Sequence, residues 1–98
     1  MYGMHVRFAA QPGSVDELTA VLVESGEALR DRTDCLLYAV FRSPDDEHAV
    51  HVTEAWVARG AHEASLAEPE TRAVIARARP LIAAIDQTLL EPVGGKGL

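Results

Sequence analysis

From Met4 to Ala9 the apolar residues Met4, Val6 and Phe8 alternate with His5 and Arg7, until Gln11-Pro12-Gly13 interrupts the pattern. A period of two places one face of a strand against a core, so this segment predicts a first strand. Ser14 followed by Glu17 has capping-box spacing, and Val15, Leu18, Val21, Leu22, Ala28 and Leu29 then recur at helical intervals between polar positions. That pattern predicts an amphipathic helix from Val15 to Arg30. Cys35 to Phe41 is apolar at odd and even positions alike, the mark of a strand covered on both faces. Ser43-Pro44-Asp45-Asp46-Glu47 reads as a turn at hairpin distance, leading into a third strand from His48 to Trp56. Alternation puts Val50, Val52, Glu54 and Trp56 on one face of that strand and Ala49, His51, Thr53 and Ala55 on the other.

Further along, Arg59 to Ala67 predicts a short helix. Pro69 to Ile85 predicts a second helical stretch, kinked or divided at Pro80, with Val74, Ala78, Leu81, Ile82 and Ile85 on one side. Gln87 to Val93 is the expected fourth strand, which makes residues 1–93 one domain and leaves 94–98 as a flexible glycine-rich tail. The order β-α-β-β-α-β is that of the ferredoxin-like α+β fold, in which helices cover one face of a four-stranded antiparallel sheet. The other face stays bare. Since the second strand is apolar on both sides, the natural cover for that face is a second copy of the chain, and a homodimer through the sheet is expected.

Composition narrows the partners. With 98 residues there is room for one core and a small pocket, not for a separate cofactor domain. Nine Lys+Arg against 15 Asp+Glu give a net charge of −6, with no basic run, so neither nucleic acid nor an anionic membrane is an expected partner. A lone Cys35 forms no intrachain disulfide and suits a reducing compartment. The first residues lack the basic and apolar regions of a signal peptide, and no apolar run is long enough to span a bilayer, so a cytoplasmic protein is expected.

Few residues carry chemistry. His62, on the short helix between small residues, is suited to take a proton near neutral pH; its bland reading is a helix histidine satisfied by a carbonyl. Glu54 is the sharper anomaly, because a carboxylate among valines needs a partner, such as Arg7, or a raised pKa. Trp56 is either core or the flat wall of an aromatic pocket. By parity His5, Arg7, His51 and Thr53 place polar groups on an otherwise apolar sheet, lining a cavity or bonding across an interface. His48 and His51, three apart on a strand, point to opposite faces, so no shared metal is expected. Gly94-Gly95-Lys96-Gly97 lacks the Ser/Thr and the helix of a phosphate loop. Cys35 reads as an inert thiol, and Ser65, without nucleophile-elbow glycines, as structural.

Taken in order, Gln11-Pro12-Gly13, Cys35-Leu36-Leu37-Tyr38, Arg42-Ser43 with the acidic turn, Glu54-Ala55-Trp56, Ala61-His62-Glu63-Ala64-Ser65-Leu66 and Arg79-Pro80-Leu81 resemble the antibiotic biosynthesis monooxygenase family of small dimeric α+β barrels. The resemblance runs nearly end to end. It implies a ferredoxin-like fold paired through its sheets, with a pocket between sheet and helices, and some members oxidise quinols or polycyclic phenols with molecular oxygen and no cofactor. Carried to this chain it implies Trp56, His62, Tyr38 and Glu54 as pocket residues, of which His62, Trp56 and Glu54 are the catalytic candidates; Tyr38, His51, Arg7 and Ser65 are the expected substrate contacts. The haem-degrading branch has a tryptophan and a histidine where Ser65 and Ile75 stand, so haem cleavage is not expected. The competing expectations are an isomerase on the same barrel and a ligand-binding dimer without catalysis.

Overall fold

The computed structural model describes all 98 residues. The strands are β1 (Tyr2–Ala10), β2 (Cys35–Ser43), β3 (Asp46–Trp56) and β4 (Ile82–Leu90); the helices are α1 (Val15–Ala28), α2 (Arg59–Leu66) and α3 (Pro69–Ala78). All pairings are antiparallel, and the sheet runs in the order β2-β3-β1-β4. This is the expected α+β, ferredoxin-like arrangement, with β1 and β3 as the inner strands.

Each junction has a local cause. Pro12 and Gly13 occupy the centre of a tight turn in which the Ser14 N–H donates to the Gln11 carbonyl at 2.9 Å; Gly13 takes φ +78°, a conformation that favours glycine. The Ser14–Glu17 capping box does not form, since the Ser14 side chain caps nothing and only its carbonyl accepts from Leu18 N–H. Pro44 and Asp45 form a two-residue hairpin turn, so β3 begins at Asp46, two residues before the expected start.

The second helical stretch is shorter than expected. α3 ends at Ala78, Arg79–Leu81 forms a single 3₁₀ turn, and the chain is already extended at Ile82. Pro80 lacks the N–H that the next helical bond would need, so the helix stops there instead of kinking. Consequently β4 runs from Ile82 to Leu90, not from Gln87 to Val93, and Ile85 pairs with Phe8 on the sheet. Leu81 and Ile82 still pack on the core, which is why their spacing looked helical.

That core lies on one side of the sheet. Leu18, Val21 and Leu22 of α1, at i, i+3 and i+4, meet Val50 and Val52 of β3 together with Ala78 of α3. The register pairs Val6 with Val52 and Met4 with Glu54, so Met4, Val6, Phe8, Val50, Val52, Glu54 and Trp56 all project toward the helices. His5, Arg7, His51 and Thr53 project the other way. Beyond Leu90 the chain has no regular structure, although Pro92 approaches Gly3. No helix is long and apolar enough to cross a membrane.

Gly26 is where α1 presses closest on the sheet. A Cβ there would stand 2.9 Å from Tyr38 Cδ1. Gly→Ala inside a helix ordinarily gains about 1 kcal/mol. We expect Gly26→Ala to lower the thermal midpoint instead, because the added methyl must displace the Tyr38 ring. Gly60→Ala, with nothing within 4 Å of the new methyl, serves as the control and should not lower it; equal stabilisation of both variants would show that the ring yields freely.

Candidate active site

Between the sheet and the three helices lies a cavity of about 1020 Å³. Its floor is Met4, Val6 and Phe8 of β1, and its helical wall includes Leu22, Val74 and Ala78. At one end three polar side chains meet. Glu54 Oε1 accepts from Trp56 Nε1–H at 3.0 Å, and His62 Nε2 stands 3.9 Å from the same oxygen. The side chains of Glu54 and His62 are 12% and 14% exposed, so both charges would sit largely out of water.

The fold brings these residues together from two elements. Glu54 and Trp56 are two apart on β3 and so share a face, while α2 begins three residues after Trp56 and returns His62 over it. The His62 ring meets the Trp56 edge at 5.4 Å between centroids and lies 5.6 Å from the Tyr2 ring. Ser65, buried, donates its hydroxyl to the His62 carbonyl at 2.6 Å, anchoring that turn of α2.

Burial dominates the electrostatics. It pushes the Glu54 carboxyl above its usual range, opposed by the Trp56 N–H and by the charge on a protonated His62. Tyr38 pairs with Glu54 across β2 and β3. Its phenol is pushed up to about 12, chiefly by burial and further by Glu54, against a hydrogen bond from Ser25. Burial likewise raises the Cys35 thiol, which keeps it in its unreactive protonated form.

Glu54, Trp56, His62, Tyr38 and Ser65 line the cavity. Arg7 and His51 do not join them. Both lie on the opposite face of the sheet, where Arg7 makes a two-pronged bridge to Asp46, Nε to Oδ2 and one terminal nitrogen to Oδ1, each at 2.8 Å. Arg7 thus cannot be the partner of Glu54; the partners are Trp56 and His62.

His51 Nε2 reaches the same Asp46 at 2.9 Å, His51 Nδ1 meets His5 Nε2 at 3.2 Å, and His5 Nδ1 meets Thr53 Oγ1 at 3.0 Å. With both rings neutral the carboxylate sets the direction of the whole row: His51 donates to Asp46, His5 to His51, and Thr53 to His5. Arg7 with His51 holds the Asp46 carboxyl down at about 2.

The sequence reading missed three residues here, Arg32 and Gln87 on the cavity and Tyr2 against the His62 ring. Tyr2 shares the parity of Met4 and Val6, so a strand begun two residues earlier would have placed it beside Trp56. Arg32 carries its guanidinium 5.6 Å from the Trp56 ring centre while bonding Asp34 and Glu68, tying the α1–β2 loop to the start of α3. Gln87, on the cavity side of β4, was hidden by the misplaced strand start.

Comparison with known proteins follows this geometry. The antibiotic biosynthesis monooxygenase family matches residues 1–77. The chain belongs to that family. A candidate antibiotic biosynthesis monooxygenase from Chloroflexus aurantiacus is similar in structure with 40% identity, a TM-score of 0.87, and coverage of 96% of this chain and 94% of that one. A second candidate from Deinococcus radiodurans has 26% identity and a TM-score of 0.83, covering 97% and 95%. A Mycobacterium tuberculosis protein at 21% identity and TM-score 0.83, with 97% of each chain covered, shares the fold. No curated protein matches. Within this monooxygenase-type family, the chain carries Glu54, Trp56 and His62 together at the β3–α2 end of the cavity.

Two pH experiments probe the two faces. Asp46 is lowered in the folded state, so its contribution to stability is full above the ordinary carboxylate range and is lost as pH falls from about 4 to about 2. Asp46→Asn should therefore be less stable than the parent at pH 7, with the difference closing across that acid window. Glu54 is raised, so ionising it costs stability as pH climbs above the usual glutamate range. Glu54→Gln, which keeps an acceptor for Trp56, should be more stable than the parent at pH 8 and not at pH 4; denaturant melts across pH test both signs.

Proposed function

We propose that this chain is a cofactor-independent monooxygenase that oxidises a phenolic or quinol-type aromatic with molecular oxygen, working as a homodimer paired through its bare sheet face. The observation that carries the reading is His62 with Glu54 beside Trp56 at one end of a cavity of about 1020 Å³ floored by Met4, Val6 and Phe8, a volume suited to a small fused-ring compound. Such a substrate is its own reductant. His62 takes the phenolic proton, and the electron-rich anion reduces oxygen and forms a C–O bond to it as a peroxide. Loss of water then leaves a quinone: one oxygen atom stays on carbon, and the other departs with the phenolic hydrogen and the ring hydrogen. The protein's part is to bind, deprotonate and exclude water.

Glu54, within 3.9 Å of His62, favours the imidazolium that this step creates, and Trp56 presents an aromatic surface next to it. The two-fold partner is supported by Phe41, which is 54% exposed on β2 at the edge of the bare face. Isomerisation of a keto or hydroxy compound would use the same proton-transfer pair but no oxygen, so turnover under nitrogen would favour it.

The test is oxygen uptake by metal-free protein with a panel of dihydroxyarenes. Uptake should fall by on the order of 100-fold or more in His62→Gln with the melting temperature kept within a few degrees. Undiminished uptake in that variant would remove His62 from the mechanism, and no uptake with any arene would overturn the oxygenase reading.

A further inference from the structure

Gln87 is the one polar side chain on the cavity side of β4 between Ile85 and Leu89, and it lines the cavity. Its amide nitrogen donates to the thioether of Met4 at 3.2 Å, a weak acceptor, and its carbonyl oxygen has no protein partner. The register fixes where it stands relative to the reacting end. Glu54 pairs with Met4, Met4 with Leu89, and Gln87 lies two residues back along β4 beside Val6. Two strands across and two residues along give about 12 Å between the Cα atoms of Glu54 and Gln87. The floor between them is Met4 and Val6, whose only hydrogen-bonding side-chain atom is the Met4 thioether already taken by Gln87.

The sheet floor of the cavity is thus polar at Glu54 and at Gln87 and apolar between them, and Gln87 presents a free acceptor. We propose that Gln87 is a specificity residue whose carbonyl accepts a hydrogen bond from a second hydroxyl at the far end of the aromatic, the first hydroxyl being held at His62. This rests on the reading of the cavity as the aromatic's binding site. It narrows the substrate to a fused-ring diol with its hydroxyls at opposite ends of the long axis. A ligand of the same length without that far donor, lying over the exposed Gln87, takes water from its carbonyl and returns no hydrogen bond.

Anaerobic binding followed by the fluorescence of Trp56, the single tryptophan, tests this without any turnover. The probes are 2,6-dihydroxynaphthalene and 6-methoxy-2-naphthol, alike in length but differing in the far donor. The native chain should bind the diol about five- to ten-fold more tightly, and Gln87→Leu should abolish that preference by weakening the diol alone. Gln87→Met, which keeps side-chain length, should behave as Gln87→Leu does, and thermal melts identify whichever variant folds. A preference that survives in the folded variants, or no preference in the native chain, overturns the role of Gln87 while leaving the cavity reading intact. Failure of both naphthols to bind the native chain overturns the cavity reading and the role of Gln87 together.

Discussion

The pairing of Val6 with Val52 is the constraint on which the rest depends. Side chains on a strand alternate, so a slip of one residue between β1 and β3 would exchange the contents of the two faces. His51 and Thr53 would enter the cavity, and Glu54 and Trp56 would leave it. Hydrophobic burial opposes such a slip, since Val50 and Val52 are fully buried under α1. The bare face opposes it too. Arg7 grips Asp46 beside the hairpin turn, and His5 reaches Thr53 and His51 across the same strand pair. Bonds that touch no ligand thus hold the register that assembles the cavity on the far side of the sheet.

That cavity is hostile to bare negative charge. Glu54 and Tyr38, paired across neighbouring strands, are both pushed toward their neutral forms by burial. A phenolate formed there without compensation would face the same penalty. In the proposed reaction, transfer of the phenolic proton to His62 would keep the new positive charge inside the cavity, 3.9 Å from Glu54 and next to the anion, so the transfer would add no net charge there. Proton transfer to bulk solvent would leave the anion uncompensated. Under that proposal the compact grouping of an imidazole, a buried carboxyl and an indole is more than a set of contacts, because it would set which proton acceptor the cavity tolerates.

Where the sequence pattern was periodic it was legible. Alternation in β1 and β3 assigned Glu54 and Trp56 to the valine face, and the i, i+3, i+4 pattern of Leu18, Val21 and Leu22 identified the buried side of α1. His62 was visible as a candidate because α2 follows β3 closely enough to fold back on it. Other features depend on long-range pairing that a local pattern does not carry. Arg7 and His51 share the parity opposite to Glu54, yet only the neighbouring strands reveal that their polar partner is Asp46. Ile82 and Ile85 fit a helical spacing as well as a strand, and the missing N–H of Pro80 together with pairing to Phe8 and Ala10 decided for the strand. Gly26 showed nothing in sequence of its contact with Tyr38, twelve residues later, because a close approach is recorded only by the side chain that is absent.

The polar row on the bare face bears on whether that face can be covered. A surface crossed by an arginine, an aspartate and two histidines would ordinarily resist burial, since each unpaired group would lose its water. With both rings neutral, Asp46 accepts from Arg7 and His51, His51 accepts from His5, and His5 accepts from Thr53, so these groups bond one another within one chain. Ala39 and Phe41 of β2 flank the row on one side. On the other, Asp86 of β4 stands 3.9 Å from Arg7 and adds a second carboxylate to the same guanidinium. A face satisfied largely within one chain in this way leaves chiefly the remaining Arg7 N–H groups and Asp86 for a two-fold copy to meet, and the apolar residues beside the row are then free to supply the driving force.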